Sequence, residues 1–440
     1  MISFQENFLH LIWKYQYYDK KQATTSEDIP LQVVKIGYHN HHEGPDFKEA
    51  QIRLDGIDHI GHVEIHLKSS DWNAHNHHTD PAYNTVILHV VWEHDQVIQR
   101  KDGTEIPTLE LKGKVFLEVV RNYERLISSQ TQILCGNELS NTSDILKFSM
   151  LEKSLIERLN EKSKLILKLL EENNQDWEET AYQWLFYSLG FKINSQVMLK
   201  LAKSLPYRLL KKHGNQRILQ EALIFGQAGF LDPLINGLFE PTSSDPYVKQ
   251  LLEEYVFFQK KYQLKPQIYP SEWKFMGVRP TNYPTIRIAQ AAAILAKSPN
   301  FFSAVLYDMN TRDSFNAFFD VDVNPYWQRH YQLGKVSEKP SPRKISSATL
   351  DLLGINYMVP LWYAYGTFID SLEWQEKCFD FLQQIPPESN HIISKFEGVD
   401  WIPVQAFESQ AMIGLFNNYC KPRKCLTCKI GQSLLRPSTR

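Results

Sequence analysis

Cysteine is scarce in this chain: five in 440 residues, too few for the disulfide scaffold of a small secreted protein. A reducing cytoplasm is therefore the expected compartment. Apolar runs of the roughly 18–20 residues needed to span a bilayer are also missing, so no membrane association is expected. Neither sign of charge dominates. Lys and Arg total 48 against 50 Asp and Glu, a balance that gives no global attraction to nucleic acid or an anionic surface. Any basic surface must be local. There is no Gly-rich phosphate loop, dinucleotide fingerprint or Ser-nucleophile elbow. The opening MISFQENFLHLIWKYQYY has no basic leader and no small-residue cleavage site, so it reads as a helix rather than a signal peptide.

What the chain does have is 43% apolar residues, enough for a sizeable core and two or three domains. Phe4, Phe8, Leu11, Ile12 and Tyr15 recur at helical spacing and predict an opening helix with one packed face. Strand signals follow: VVKIGY (33–38), FKEAQIRL, HIGHVEIHLKSSDW, TVILHVVWEH (85–94) and IPTLEL (106–111). Asp55-Gly56 and Asp102-Gly103 are hairpin-turn signals. Beyond about residue 115 the periodicity becomes helical. The expectation is an α+β protein: a β-rich domain with a mixed sheet over 1–115, a largely helical domain over 116–415, and a basic, cysteine-containing segment over 416–440. The polar stretch 321–345 is the best loop candidate.

The β-rich region concentrates the chemistry. A two-residue turn at Asp55-Gly56 pairs positions whose numbers sum to 111, which sets Asp46 opposite Ile65 and beside Glu64. Strand alternation puts Val63, Ile65 and Leu67 on one face and Glu64, His66 and Lys68 on the other. On the next strand His89 can share the polar face. The connection DWNAHNHHTDPAYN supplies His75, His77, His78 and Asp80. Carboxylates with imidazoles suit Mg²⁺, Mn²⁺ or Zn²⁺, and two converging acids repel unless a cation or proton lies between them. The candidate metal ligands are Asp46, Glu64, His75, His77 and His89. His66 or Lys68 would activate water or steady developing charge.

EGPDF followed by VEIHLKSSDW resembles the core of the PD-(D/E)XK nucleases. That resemblance implies that Asp46 and Glu64 bind the metal and that Glu6 is the acid from a preceding helix. The family's Lys position is occupied by His66, with Lys68 one same-face step further on. Over nearly its full length the chain also resembles an uncharacterised bacterial family, a domain of unknown function common in Bacteroidetes. The similarity runs through GPDF, GHVEIHLKSSDW, DPAYNTVILHVVWEHD and the C-terminal cysteines, and implies no activity.

YCKPRKCLTCKIG contains Cys420-x4-Cys425-x2-Cys428, three thiolates at metal-clamping spacing. Cys135 is the preferred fourth ligand and would tie the two ends of the chain together, whereas Cys378 reads as core. Zn²⁺ is the simplest occupant. A [4Fe–4S] cluster is the alternative, because some PD-(D/E)XK nucleases carry one upstream and three downstream cysteines. Lys421, Arg423, Lys424 and Lys429 are expected to lower the thiol pKa values. Lys421, Arg423 and Lys424 could also contact nucleic-acid phosphates.

In the helical region Pro280 and Pro284 fix a loop before a helix. Arg279 and Arg287 could bind an anion there, but the favoured reading is that they anchor the loop. ATLDLLGINYMVPLWYAYG reads as a core helix broken near Gly354 and Pro360. Taken together, the sequence predicts a metal-dependent phosphodiesterase acting on DNA or RNA. The alternatives are a non-catalytic nucleic-acid-binding or scaffold protein, and a His-ligated metallohydrolase of another substrate.

Overall fold

The computed structural model describes residues 5–437 apart from 41, 215, 232–244, 299 and 342–343. The chain forms two compact units. One comprises 1–150 together with 415–440, and the other comprises 151–414. The architecture is α+β, a mixed N-terminal sheet followed by a mostly helical region.

The first unit opens with α1 (Glu6–Tyr15), which buries Phe8, Leu9, Leu11, Ile12 and Trp13. Tyr15, expected on that face, is 40% exposed, because the helix ends there with Gln16 in a left-handed cap. Phe4 lies outside the described residues. The sheet contains β1 (Leu31–Lys35), β2 (Tyr38–His39), β3 (Phe47–Leu54), β4 (Ile57–Lys68), β5 (Val86–Glu93) and β6 (Thr108–Glu110). The strand order is β1-β3-β4-β5-β6, and β2 also pairs with β3.

β3 and β4 form the expected hairpin. Leu54 pairs with Ile57, and Asp55 and Gly56 both take positive φ, which is the geometry a two-residue turn demands. The register then departs from expectation. Ala50 pairs with Gly61, but Phe47 pairs with Val63. Glu49, at φ 56°, takes up the extra residue as a bulge. Asp46 is thereby set across from Glu64 rather than Ile65.

β5 runs parallel to β4, and β6 parallel to β5. The Asp102-Gly103 turn therefore does not join β5 to β6. It closes a small bridge between Gln99 and Glu105. Parallel neighbours need a crossover, and the one from β4 to β5 carries α2 (Asp71–Ala74) and a 3-10 turn (Pro81–Tyr83). One sheet face packs Val63, Ile65, Leu88 and Val90 into the same core as α1 and α3 (Leu117–Ser128). Trp72, Tyr83, Val86, Ile98 and Ile106 form a second, smaller cluster.

The second unit is mostly helical. Gly354 and Pro360 do not break its apolar helix. Ser347–Leu353 continues through a π segment, Gly354–Met358, into Val359–Phe368. One π turn lets a proline enter where its missing N–H would otherwise interrupt the ladder. No described helix is long and apolar enough to cross a membrane.

Candidate metal centre

The pleat of β4 places Glu64 and His66 on one face, and both are buried, at 5% and 2% exposure. Polar side chains tolerate such burial only with partners. β5 and the β4–β5 crossover provide them. His66 Nδ1 lies 2.8 Å from Nε2 of the fully buried His89 on β5. His66 Nε2 lies 3.2 Å from His75 Nδ1. Glu64 Oε1 is 3.6 Å from His66 Nε2 and 3.4 Å from His77 Nε2. One nitrogen each from His66, His75 and His77 lies within 4.8 Å of the other two. His77 stacks on Tyr83, with centroids 3.8 Å apart, and meets Trp72 edge-on. His66 is buried, His77 half-buried and His75 exposed, so the cluster opens to solvent at His75.

Asp46 joins from the start of the hairpin. Its N–H donates to Glu64 Oε2 at 3.0 Å, and its Oδ2 accepts from the Ile65 N–H at 3.0 Å. His10 Nε2 on α1 lies 3.2 Å from the same Oδ2. Glu6, one turn before His10, is close enough to Asp46, His10 and His75 for each to act on its pKa. His10 is not among the residues singled out from the sequence, although Glu6-x3-His10 puts both residues on one helix face.

The charge states follow from burial. Burial drives the His66 imidazole down to about 3, and His77 and His75 add to the effect. His89 is held well below its ordinary value, again chiefly by burial. Neutral imidazole is the form that binds metal. Burial raises Glu64 and Glu6. For Glu64 the neighbouring Asp46 adds to the rise, while His77 opposes it. Burial works against protonation of His10, but Asp46, Glu6 and Glu64 outweigh it and lift the imidazole. Three carboxyl groups thus lie among five imidazoles in a space that is closed around His66 and His89 and open at His75.

Of the residues singled out from the sequence, Asp46, Glu64, His66, His75, His77 and His89 come together, and Glu6 lies beside them. Lys68 sits at the exposed end of β4, where its N–H bonds Asp71 Oδ2. Among the described residues it takes no part in the cluster's hydrogen bonds or ion pairs. His78 lines a separate cleft with Arg100 and Lys101, and Asp80 caps the 3-10 turn through the Ala82 N–H.

The C-terminal segment belongs to the first unit. There Cys420 lies close enough to Cys135, Cys428 and Cys425 for all three to raise its pKa. Cys135 and Cys425 both pack against the unit's main core. The expected thiol acidification is corrected. Burial takes Cys135 to about 12 and Cys425 to about 11, because desolvation disfavours the thiolate more than the basic neighbours favour it. Arg423 opposes the rise at Cys425 without reversing it, and Lys421, Arg423 and Lys424 are exposed. Cys378 is fully buried in the second unit, its Sγ 3.4 Å from the Val359 carbonyl.

No curated protein and no solved structure matches the chain. A match to a family covers residues 6–391, and so takes in α1, the sheet and most of the helical unit. By that match the chain belongs to the family described as Protein of unknown function (DUF2851).

Proposed function

We propose that the first unit is a metal-dependent phosphodiesterase that acts on nucleic acid through a histidine-dominated centre. The convergence of His66, His75 and His77 carries this reading. Their neighbouring contacts of 3.2, 3.4 and 3.6 Å, including those to Glu64 Oε1, approach the roughly 3.4 Å edge of a tetrahedron with ligands about 2.0–2.1 Å from the metal. Imidazole-rich sites suit zinc, or manganese where carboxylates join them, better than magnesium. Bound there, a divalent ion would polarise a phosphoryl oxygen and acidify a bound water. Glu64 would complete the ligand set, and His89 would hold His66 in the tautomer whose Nε2 faces the site. His10, inclined to carry a proton by Asp46 and Glu6, is suited to protonate a leaving oxygen. The exposed Lys421, Arg423 and Lys424 would contact backbone phosphates.

The PD-(D/E)XK-like reading, in which Asp46 and Glu64 are the principal ligands, keeps one observation in its favour. The bulge at Glu49 sets these two acids side by side. The four cysteines would form a second, structural centre. Among the described residues no three of their sulfurs lie within 4.8 Å of one another. A zinc ion would have to draw them to roughly 3.8 Å apart, and a [4Fe–4S] cluster is the alternative occupant.

The test is metal analysis of purified protein combined with cleavage of bis(p-nitrophenyl) phosphate, DNA and RNA in Zn²⁺, Mn²⁺ and Mg²⁺. We expect one non-cysteine metal per chain, lost together with cleavage in His66→Ala and His77→Ala. Asp46→Asn should keep the metal and lose turnover. Loss of metal in Asp46→Asn, with retention in His77→Ala, would favour the two-carboxylate site. Nucleic-acid binding without cleavage in any metal would point to a non-catalytic protein.

A further inference from the structure

Arg287 lies in the helix Pro284–Leu295 of the second unit and is 2% exposed. A buried guanidinium ordinarily meets a carboxylate, because an unpaired buried ion costs several kcal/mol even after relaxation. Here Nη1 donates to Gln290 Oε1 at 2.7 Å and Nη2 to Asn282 Oδ1 at 2.6 Å. Both acceptors are neutral. The Phe191 ring lies 4.8 Å from Cζ and offsets part of the cost. Nε is buried without a partner. Among the described residues no carboxylate pairs with Arg287, and burial alone moves it, down to about 10. Asn282 belongs to the Pro280–Asn282 turn before the helix, so Arg287 does anchor that loop, as expected, but through a neutral side-chain amide.

The side chain borders a cavity of about 80 Å³ lined also by Thr281, Asn282, Gln290, Ser341 and Lys344. One water needs only about 10–15 Å³ of such space. Ser341 Oγ is a second buried polar atom without a partner. Lys344, at the rim, is engaged by Asp320 at 2.7 Å. Arg287 and Ser341 both line this one small void, each holds a buried polar atom without a partner, and no described carboxylate pairs with the charge.

We propose that this cavity binds a compact tetrahedral oxyanion, either inorganic phosphate or the phosphoryl group of a small monoester, with Arg287 supplying the charge and Ser341 a neutral donor. The anion would replace the missing carboxylate, and Asn282 and Gln290 hold the guanidinium in place for it. Charge-assisted bonds of this kind are the strong ones. The site lies wholly within the helical unit and is independent of the metal centre.

The test is calorimetric titration of the full-length protein with inorganic phosphate and with phenyl phosphate, at constant ionic strength in chloride. Gln290→Glu is the informative variant, because it gives Arg287 a built-in carboxylate. In wild type we expect saturable binding of one phosphate per cavity. In Gln290→Glu we expect affinity at least tenfold weaker and a higher Tm without phosphate. Ser341→Ala should fold normally and bind several-fold more weakly. Comparable binding of phenyl phosphate would identify a monoester as the source, and binding of phosphate alone would identify the free ion. Absence of saturable binding in wild type, or equal affinity in Gln290→Glu, overturns the proposal.

Discussion

His89 discriminates between a ligand and a residue that orients a ligand. It is fully buried, and its Nε2 lies 2.8 Å from His66 Nδ1. If His66 coordinates through Nε2, its Nδ1–H must find an acceptor, and His89 is that acceptor. Removing such an outer partner typically weakens metal binding by 10–100-fold, about 1.4–2.7 kcal/mol. Removing a ligand costs far more. His89→Ala also leaves a cavity, at about 2–3 kcal/mol of stability, so His89→Gln, whose carbonyl can accept the same bond, is the companion variant. Competition for Zn²⁺ against a chromophoric chelator, with Tm followed in parallel, gives both quantities. We expect His89→Ala to weaken zinc 10–100-fold, His89→Gln to lie within a few-fold of wild type, and His77→Ala to lose the metal. Unchanged affinity in a folded His89→Ala protein would refute the orienting role. A loss as complete as that of His77→Ala would make His89 a ligand itself.

Three further outcomes follow from other parts of the molecule. Burial raises Glu221 from 4.5 to about 7, against the pull of Arg217 and Tyr247. The folded state therefore holds a proton that the unfolded state releases. Its contribution is complete below about pH 4.5 and is lost as pH rises through 7, on the order of 3 kcal/mol. Glu221→Gln should flatten that part of the stability profile in denaturant titrations at pH 5 and 8, and equal slopes in the two proteins would contradict it. Gly226→Ala would drive a methyl group into the Tyr255 ring between two packed helices. We expect a loss of about 2–3 kcal/mol and a correspondingly lower Tm, and wild-type stability would show that the ring can move aside. Cys135→Ser should lower the zinc or iron content of the cysteine centre, whereas Cys378→Ser should leave it intact. The absorbance spectrum of the wild-type protein separates zinc from a [4Fe–4S] cluster.

The legible parts of this chain are those governed by local rules. Asp55-Gly56 announced the hairpin because few other dipeptides take positive φ twice in succession. Alternation on β4 announced a face carrying Glu64 and His66, and the density of histidines in the crossover announced that they would meet it. Residue-level placement failed where a non-local event intervened. The bulge at Glu49 shifts the pairing by one residue, and nothing in FKEAQIRL marks it. The shift brings Asp46 across from Glu64 while its side chain still reaches the Ile65 amide. His10 was overlooked because apolar periodicity singles out the packed residues of a helix, and a histidine at the edge of that stripe carries no signal until the helix docks. A mixed sheet is expected, but nothing in the sequence marks β4 and β5 as its parallel pair, and that pairing carries the crossover over the polar face and brings His75 to His66 and His77 to Glu64. The thiols show the same limit from the side of electrostatics. Basic neighbours can be read from KPRKCLTCK, but burial cannot, and burial decides the direction of the shift. What periodicity cannot supply is depth, and at this centre depth sets the charge states of His66, His89 and Glu64.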